Sequence, residues 1–151
     1  MIENTSARNM WGDFLDIHLE NAFKEVPKVV RFAENGLDAD QVAKLVVNGA
    51  KRANSFSLLG LQYRNEPLPH IGDFMVVTDW EGNAKCIVRT TAVKLRPFFN
   101  ITEDYARSEG YDSLPQWKES HWELFTKELA PYGRVPRESM IVVCQSFEKV
   151  F

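Results

Sequence analysis

The sequence predicts an α+β fold, a small mixed and partly closed β-barrel with helices packed around it. Helical and strand-like patterns alternate along the chain, which favours strands and helices in one layered domain. Two strand patterns in the middle are joined by a short turn, as in a β-hairpin. A chain of 151 residues corresponds to one domain by default. Because no repeat or linker interrupts it, residues 1–151 are predicted to form a single domain.

Two helices are predicted in the first third of the chain. Apolar side chains recur at helical spacing over residues 6–22, where Ser6 is placed to cap the start. Pro27 prevents any continuation of this helix. Residues 38–48 form the second helix, since one apolar stripe lies between a capping box and a terminal glycine. The box and the glycine are given by Asp38, Gln41 and Gly49.

Four strands are predicted from alternating patterns or short apolar runs between turn residues. Their ranges are 53–61, 74–79, 84–95 and 140–151. A turn at residues 81–83 joins the second and third of these strands into the hairpin. Two prolines make residues 64–72 a loop, and these are Pro67 and Pro69.

Two further helices are predicted before the last strand. Asn100 and Glu103 form a capping box for a helix over residues 101–109. Ser113 caps the next helix, which has one broad apolar face. On that helix Trp117 and Trp122 are predicted to pack in the core, with stacking of a base on one of them as the alternative. His121 is predicted to form hydrogen bonds at the helix surface.

Positive charge is concentrated in two segments of a chain whose net charge is −3. Residues 41–65 and residues 85–96 contain lysines and arginines but no acid. Such blocks either create a local positive field or form solvated faces of strands. Their members are Lys44, Lys51, Arg52, Arg64, Lys85, Arg89, Lys94 and Arg96.

No apolar run approaches the roughly 20 residues that cross a bilayer. The N-terminus also lacks the basic and apolar regions of a signal peptide, so no membrane association and a cytoplasmic location are predicted. Cys86 and Cys144 lie in apolar segments and are predicted to be buried free thiols.

Motifs for the common cofactors are missing from the sequence. It contains no Walker A loop, no G-x-G-x-x-G, no C-x-x-C, no H-E-x-x-H and no G-x-S-x-G. The three histidines fall in separate elements, so no metal site is predicted. No cofactor and no DNA-specific motif is predicted, and the oligomeric state stays open.

Gly49, Ala50 and Lys51 lie between the second helix and the first predicted strand. A glycine there allows unusual backbone angles and the close approach of a ligand, and a lysine beside it can bind phosphate or act as a base when desolvated. The alternative is a helix-ending glycine followed by a solvated lysine that stabilises the negative end of the helix.

The order and spacing of several segments over about residues 30–151 resemble the ASCH family, the ASC-1-homology domains of PUA-like fold. The segment 45–55 is similar to its helix end, G-x-K signature and strand. The segments 72–78 and 87–93 resemble the family's hairpin strands, and 101–110 its acidic helix. The long-form members are matched at Trp117, His121, Trp122, Phe125, Val142, Val143, Cys144 and Phe147.

The resemblance implies a β-barrel with a helix-lined cleft. Family members are proposed to bind RNA, protein partners or modified nucleosides, and some remove the acetyl group from N4-acetylcytidine. Carried over by position, the catalytic residues are Lys51, Asn54 and Glu109. Asn54 departs from the family, which has a threonine there, and an amide cannot replace a hydroxyl nucleophile. Ser55 would not inherit that role, because neighbours on a strand point to opposite faces.

Further residues are assigned by the same resemblance and by charge to ligand binding, namely Gly49, Arg52, Ser55, Tyr63, Arg64 and Arg89. The leading hypothesis is an ASCH-type domain that binds RNA or a modified nucleoside in a basic cleft around Lys51. The first alternative is a hydrolase, either an N4-acetylcytidine amidohydrolase or a ribonuclease, that uses Lys51 and Glu109. The second is a protein-interaction module. The leading hypothesis and the hydrolase alternative require that Lys51 and Glu109 share one water-accessible cleft.

Overall fold

The structure is a computed structural model that describes residues 2–32 and 38–151. Its centre is a mixed sheet of five strands curled into a half-barrel, which confirms the predicted α+β fold. The strands are β1 (Lys28–Val30), β2 (Ala53–Ser57), β3 (Phe74–Thr78), β4 (Ala84–Pro97) and β5 (Ile141–Lys149). The α-helices are α1 (Thr5–Ile17), α2 (Ala39–Val47), α3 (Leu58–Tyr63), α4 (Glu103–Ser108) and α5 (Leu114–Leu129).

The long strand β4 curls the sheet. It pairs with β3 through its first part and with β5 through its second, antiparallel in both cases. The register to β5 shifts between Thr90 and Ala92, and an irregularity of this kind bends a strand and increases its twist. The spatial order is β1-β3-β4-β5-β2, so β1 and β2 form the two edges.

Helices cover the curled sheet in three places. Trp11 and Phe14 of α1 pack against Phe74 of β3. Val46 of α2 packs in a cluster with Phe147 of β5. Helices α4 and α5 cover a separate cluster on β5, whose buried members include Phe98, Trp117, Phe125, Val142 and Cys144.

Two predicted elements in the first half have wrong boundaries. The first helix covers Thr5–Ile17 rather than 6–22, and its cap is Asn4, whose side chain accepts from the amide of Ala7 at 2.9 Å. Ser6 instead accepts from the backbone of Ala84 at 2.9 Å. The predicted strand 53–61 ends at Ser57, because the Ser57 hydroxyl accepts from the amide of Gly60 and starts α3.

Strand β1 has no counterpart among the predicted elements. It contains only three residues, too few to show alternation. It pairs in parallel with β3, although two helices and a strand separate the two along the chain. Such a strand is defined by its partner and not by its own sequence.

The predicted hairpin and two of the three later helix caps are confirmed. Strands β3 and β4 form the hairpin as predicted, and Asp38 and Gln41 form the capping box of α2. The cap predicted at Asn100 is wrong, since the Thr102 hydroxyl accepts from the amide of Tyr105 at 3.1 Å. Ser113 caps α5 as predicted.

The two cysteines are buried free thiols, as predicted. Burial raises the pKa of each thiol to about 11, so both are protonated at neutral pH. In the part of the chain that the structure describes, no helix has both the length and the apolar character needed to cross a membrane.

Candidate functional site

Lys51 is placed by the way α2 ends. Gly49 has φ of 83°, a left-handed conformation that a residue with a side chain rarely adopts. The chain turns there, and the amide of Lys51 donates to the carbonyl of Leu45 at 3.0 Å. The lysine side chain is thereby directed inward, where its exposed fraction is 2%.

Glu109 is placed by the end of α4, where it is the C-cap residue. Gly110 follows with φ of 96°, and a β-carbon at that glycine would lie 3.9 Å from the Lys51 β-carbon. The end of α4 therefore approaches the segment after α2 closely at Gly110. This approach brings the side chains of Lys51 and Glu109 into one buried site.

Lys51 Nζ lies 3.6 Å from Glu109 Oε1, so the predicted proximity of the two groups is confirmed. Each residue is only 2% exposed, and the lysine ammonium lies 5.5 Å from the ring centre of Phe32. The prediction that the pair lies in a water-accessible cleft is therefore wrong. The reason is that Trp117 and His121 of α5 contact the Glu109 carboxylate, while the Phe32 ring lies beside the ammonium.

The second carboxylate oxygen of Glu109 is held by three groups. Ser55 Oγ donates to Oε2 at 2.7 Å, the indole N–H of Trp117 also donates to it, and His121 Nε2 lies 3.5 Å away. His121 Nδ1 contacts the carbonyl oxygen of Trp117 at 3.1 Å. We call Lys51, Glu109, Ser55, Trp117 and His121 the Glu109 cluster.

The position predicted for His121 is wrong. It is 1% exposed and stacks on Trp117 with ring centres 4.1 Å apart, so it is buried rather than at the helix surface. Trp117 packs in the core as predicted, with 0% exposure, whereas the same prediction is wrong for Trp122, which is 36% exposed. The spacing of four residues between Trp117 and His121 on α5 puts both side chains on one face, which is the sequence signal that could have indicated a shared role.

The Glu109 cluster keeps the carboxylate ionised. Burial raises the pKa of Glu109, but the hydrogen bond and charge of His121, the charge of Lys51 and the Trp117 hydrogen bond together bring it below its ordinary value. A buried charge is stable only when it is paired in this way. A carboxylate with a lowered pKa is a poor proton acceptor at neutral pH, which favours a structural role.

The lowered pKa predicts a loss of stability in acid. A carboxylate whose folded pKa is depressed contributes stability above the unfolded pKa of about 4.3, and the contribution is lost as pH falls through the folded value. We expect the free energy of unfolding of the wild type to fall between pH 5 and 3 more steeply than that of Glu109→Gln. Urea unfolding at several pH values measures both slopes, and equal slopes would contradict the lowered pKa.

Asn54 and Ser55 face opposite sides of β2. Asn54 pairs across the strand with Gln145, and Ser55 pairs with Cys144. Tyr105 of α4 fixes this strand from the Ser55 side: its hydroxyl donates to the Asn54 carbonyl at 2.9 Å and lies 2.8 Å from Ser55 Oγ. Burial, and next the charge of Glu109, raise the pKa of Tyr105, so that the hydroxyl stays protonated. The Asn54 side chain therefore lies on the opposite face of β2.

A cleft of about 510 Å³ lies on the Asn54 face, within the size range of small-molecule sites. Asn54 and Gln145 line it together with the apolar residues Val30, Phe32, Phe56, Leu61 and Met75. Its described charged residues are Lys24, Glu25, Lys28, Glu66 and Asp73. Lys51 does not line this cleft, and the residues that do line it carry both positive and negative charge. The predicted basic cleft around Lys51 is therefore not found here.

A shallower groove adjoins the cleft and is more basic. The two share Phe32, Asn54 and Phe56 as a common wall. Among the described residues that line the groove, three cations stand against one carboxylate: Arg31, Arg64, Lys127 and Glu128. Arg64 is bound to Glu128 at 2.6 Å, which positions its guanidinium beside the groove.

The remaining predicted ligand residues lie apart from the cleft and the groove. The guanidinium of Arg52 donates to the Gly49 carbonyl at 3.0 Å and supports the turn before β2. Tyr63 stacks on Tyr132 with ring centres 4.5 Å apart. Arg89 is exposed on β4, opposite Phe74 and Glu148. Of the predicted set, Asn54, Ser55 and Arg64 line the groove.

Metal-ligating side chains do not cluster in residues 2–32 and 38–151. No group of three His, Cys, Asp or Glu there could hold a metal ion. The arrangement is instead suited to hydrogen bonding and stacking of a planar ligand, because amide groups and phenylalanine rings line one cavity.

The comparisons with known proteins agree on one family. The model of the ASCH domain matches residues 28–151. The chain belongs to the ASCH family. It is similar to the crystal structure of an ASCH domain from Lactobacillus crispatus, with 28% identity, a TM-score of 0.87 and coverage of 95% of this chain and 93% of that one.

A second similar structure supports the ASCH fold. It is a protein from Enterococcus faecalis described under the family model DUF984, with 33% identity, a TM-score of 0.83 and coverage of 96% of this chain and 88% of that one. No functionally curated protein matches this ASCH chain.

Proposed function

We propose that this ASCH domain binds a nucleobase, as part of RNA or of a modified nucleoside, in the cleft lined by Asn54 and Gln145. The observation that carries the proposal is the Asn54 side chain. This side chain lines both the cleft and the basic groove, and it makes no hydrogen bond to the other described residues. Side-chain amides with their paired donor and acceptor match the edges of nucleobases.

The aromatic residues beside Asn54 support the same proposal. Phe32 and Phe56 are half-buried and line both the cleft and the groove. Unstacked bases of single-stranded RNA are recognised by stacking on such rings. The groove cations Arg31, Arg64 and Lys127 would then lie beside the sugar-phosphate chain, where they lower the free energy of binding.

Replacing Asn54 by alanine tests the proposal. We expect about a tenfold loss of affinity for short single-stranded RNA, because one base-edge hydrogen-bonding group is removed. Isothermal titration calorimetry with single-stranded RNA and with free nucleosides measures it. Gln62→Ala is the matched control, since Gln62 is an exposed amide of α3 that lines neither the cleft nor the groove. Equal affinities of wild type and Asn54→Ala would contradict the proposal.

Lys127→Ala separates the two classes of ligand. If RNA is bound along the groove, its affinity falls and the dependence on salt weakens by about 0.7 in the logarithmic slope. A free nucleoside has no phosphate and is expected to bind both proteins equally. Absence of all RNA and nucleoside binding would favour a protein-interaction module instead.

Hydrolysis is the second candidate function, and the 3.6 Å between Lys51 and Glu109 favours it. A lysine and a carboxylate at this distance are able to exchange protons with a substrate that reaches them. The burial of both groups and the amide at position 54 stand against it. Chromatography of N4-acetylcytidine or RNA after incubation with wild type and with Lys51→Ala tests this function. Hydrolysis requires turnover by the wild type that is lost in Lys51→Ala.

A further inference from the structure

Gln145 of β5 lines the candidate cleft and carries a buried side-chain oxygen without a hydrogen bond. The residue lines the cleft and is 2% exposed. Its Oε1 is one of two buried side-chain polar atoms without a hydrogen bond among residues 2–32 and 38–151. The other is Glu109 Oε1, which faces Lys51 at 3.6 Å. Native proteins leave few such atoms unpaired, so the Gln145 oxygen points to a missing partner.

The surroundings of the Gln145 amide determine which of its ends is unpaired. Its Nε2 donates to Thr90 Oγ1 at 2.9 Å and lies 3.9 Å from Met75 Sδ. The reversed amide would place a carbonyl oxygen against the thioether sulfur, and both of those atoms are acceptors. The orientation with Nε2 toward Met75 is therefore favoured, and Oε1 is the end that lacks a donor.

We infer that Gln145 is a specificity-determining residue, which accepts a hydrogen bond from an N–H on the base edge of a nucleoside or nucleotide. The inference rests on the proposed function of the cleft. Gln145 and Asn54 are cross-strand partners on one face, and side chains in such pairs lie close enough to contact one ligand together. Asn54 then supplies the complementary donor, so the buried edge of the base carries an N–H beside an acceptor.

The specificity follows from the cost of leaving Oε1 unpaired. A base whose edge has lost its N–H by methylation fills the same space but gives the oxygen no donor. Sites built around a buried hydrogen bond discriminate strongly against analogues that lack the partner. A buried water molecule on Oε1 is the competing explanation, and it predicts no such discrimination.

Dissociation constants for nucleosides with and without the edge N–H test the inference. The pairs are uridine with N3-methyluridine and cytidine with N4,N4-dimethylcytidine. Calorimetry on the wild type is expected to show at least tenfold weaker binding of the methylated member in the pair that binds. The 5-methyl derivatives of uridine and cytidine control for size, because they keep the edge N–H. In Gln145→Met we expect the discrimination to fall to within about twofold, whereas Gln62→Met keeps it.

The outcomes separate this inference from the proposed function. Binding that is indifferent to edge methylation, or equally weakened by 5-methylation, overturns the role of Gln145 and leaves nucleobase binding in place. Failure of RNA and of every nucleoside to bind overturns both. Should Gln145→Met not fold, the comparison of analogues on the wild type decides alone.

Discussion

Replacing Glu109 by alanine is expected to lower the free energy of unfolding by about 3–5 kcal/mol, the usual cost of breaking a buried ion pair. The substitution leaves the Lys51 ammonium buried without its carboxylate at 3.6 Å. It also removes the acceptor of the Ser55 and Trp117 hydrogen bonds. Urea unfolding at pH 7, followed by tryptophan fluorescence, measures the change.

Glu103→Ala is the matched control for Glu109→Ala. Glu103 is an exposed residue of the same helix and forms an ion pair with Arg107 at 3.6 Å. Exposed pairs contribute little, so we expect a change within about 0.5 kcal/mol. A similarly small effect of Glu109→Ala would show that the buried cluster does not stabilise the fold.

Trp117→Ala gives the second large expected effect, a loss of about 3–5 kcal/mol in the free energy of unfolding. Trp117 is fully buried, packs on Phe98 with ring centres 5.4 Å apart and stacks on His121. Its removal creates a cavity and takes away one donor of the Glu109 carboxylate. Thermal and urea unfolding of the variant and the wild type measure the loss.

Trp122→Ala tests whether burial is the cause. Trp122 lies on the same helix and contacts the same Phe98 ring at 5.3 Å, but it is 36% exposed. We expect its replacement to cost about 1 kcal/mol. Trp117→Phe separates the two contributions further, because it keeps most of the packing and loses only the indole N–H. Equal losses for Trp117→Ala and Trp122→Ala would show that the burial of Trp117 is not the cause of the effect.

Two polar regions lie on opposite faces of β2 in this ASCH domain. The Glu109 cluster joins the ends of α2 and α4 to β2 and α5 through buried charges. The cleft lies on the other face of β2 and contains neutral amides. Tyr105 and Ser55 fix β2 from the cluster side and thereby position Asn54 on the cleft face.

Local sequence signals determined most of the elements. The capping box of α2, the hairpin β3–β4 and the cap of α5 are formed by residues close in sequence, and each was predicted. The predicted start of the first helix was wrong because Asn4 caps it instead of Ser6. The predicted end of the strand 53–61 was wrong because Ser57 caps α3 within that range. The proximity of Lys51 and Glu109 came from family resemblance, since 58 positions separate them and no local rule connects them.

The sequence by itself determined the fold class, the glycine that ends α2 before Lys51, and the opposite faces of Asn54 and Ser55. These follow from backbone conformation and from the two-residue period of a strand. Only the tertiary structure decided that the lysine and the carboxylate are buried, that His121 joins them, and that Gln145 lies beside Asn54 in a cleft. Burial and cross-strand pairing depend on contacts between segments far apart in the chain, and the free energy of a charge or an amide depends on what surrounds it there.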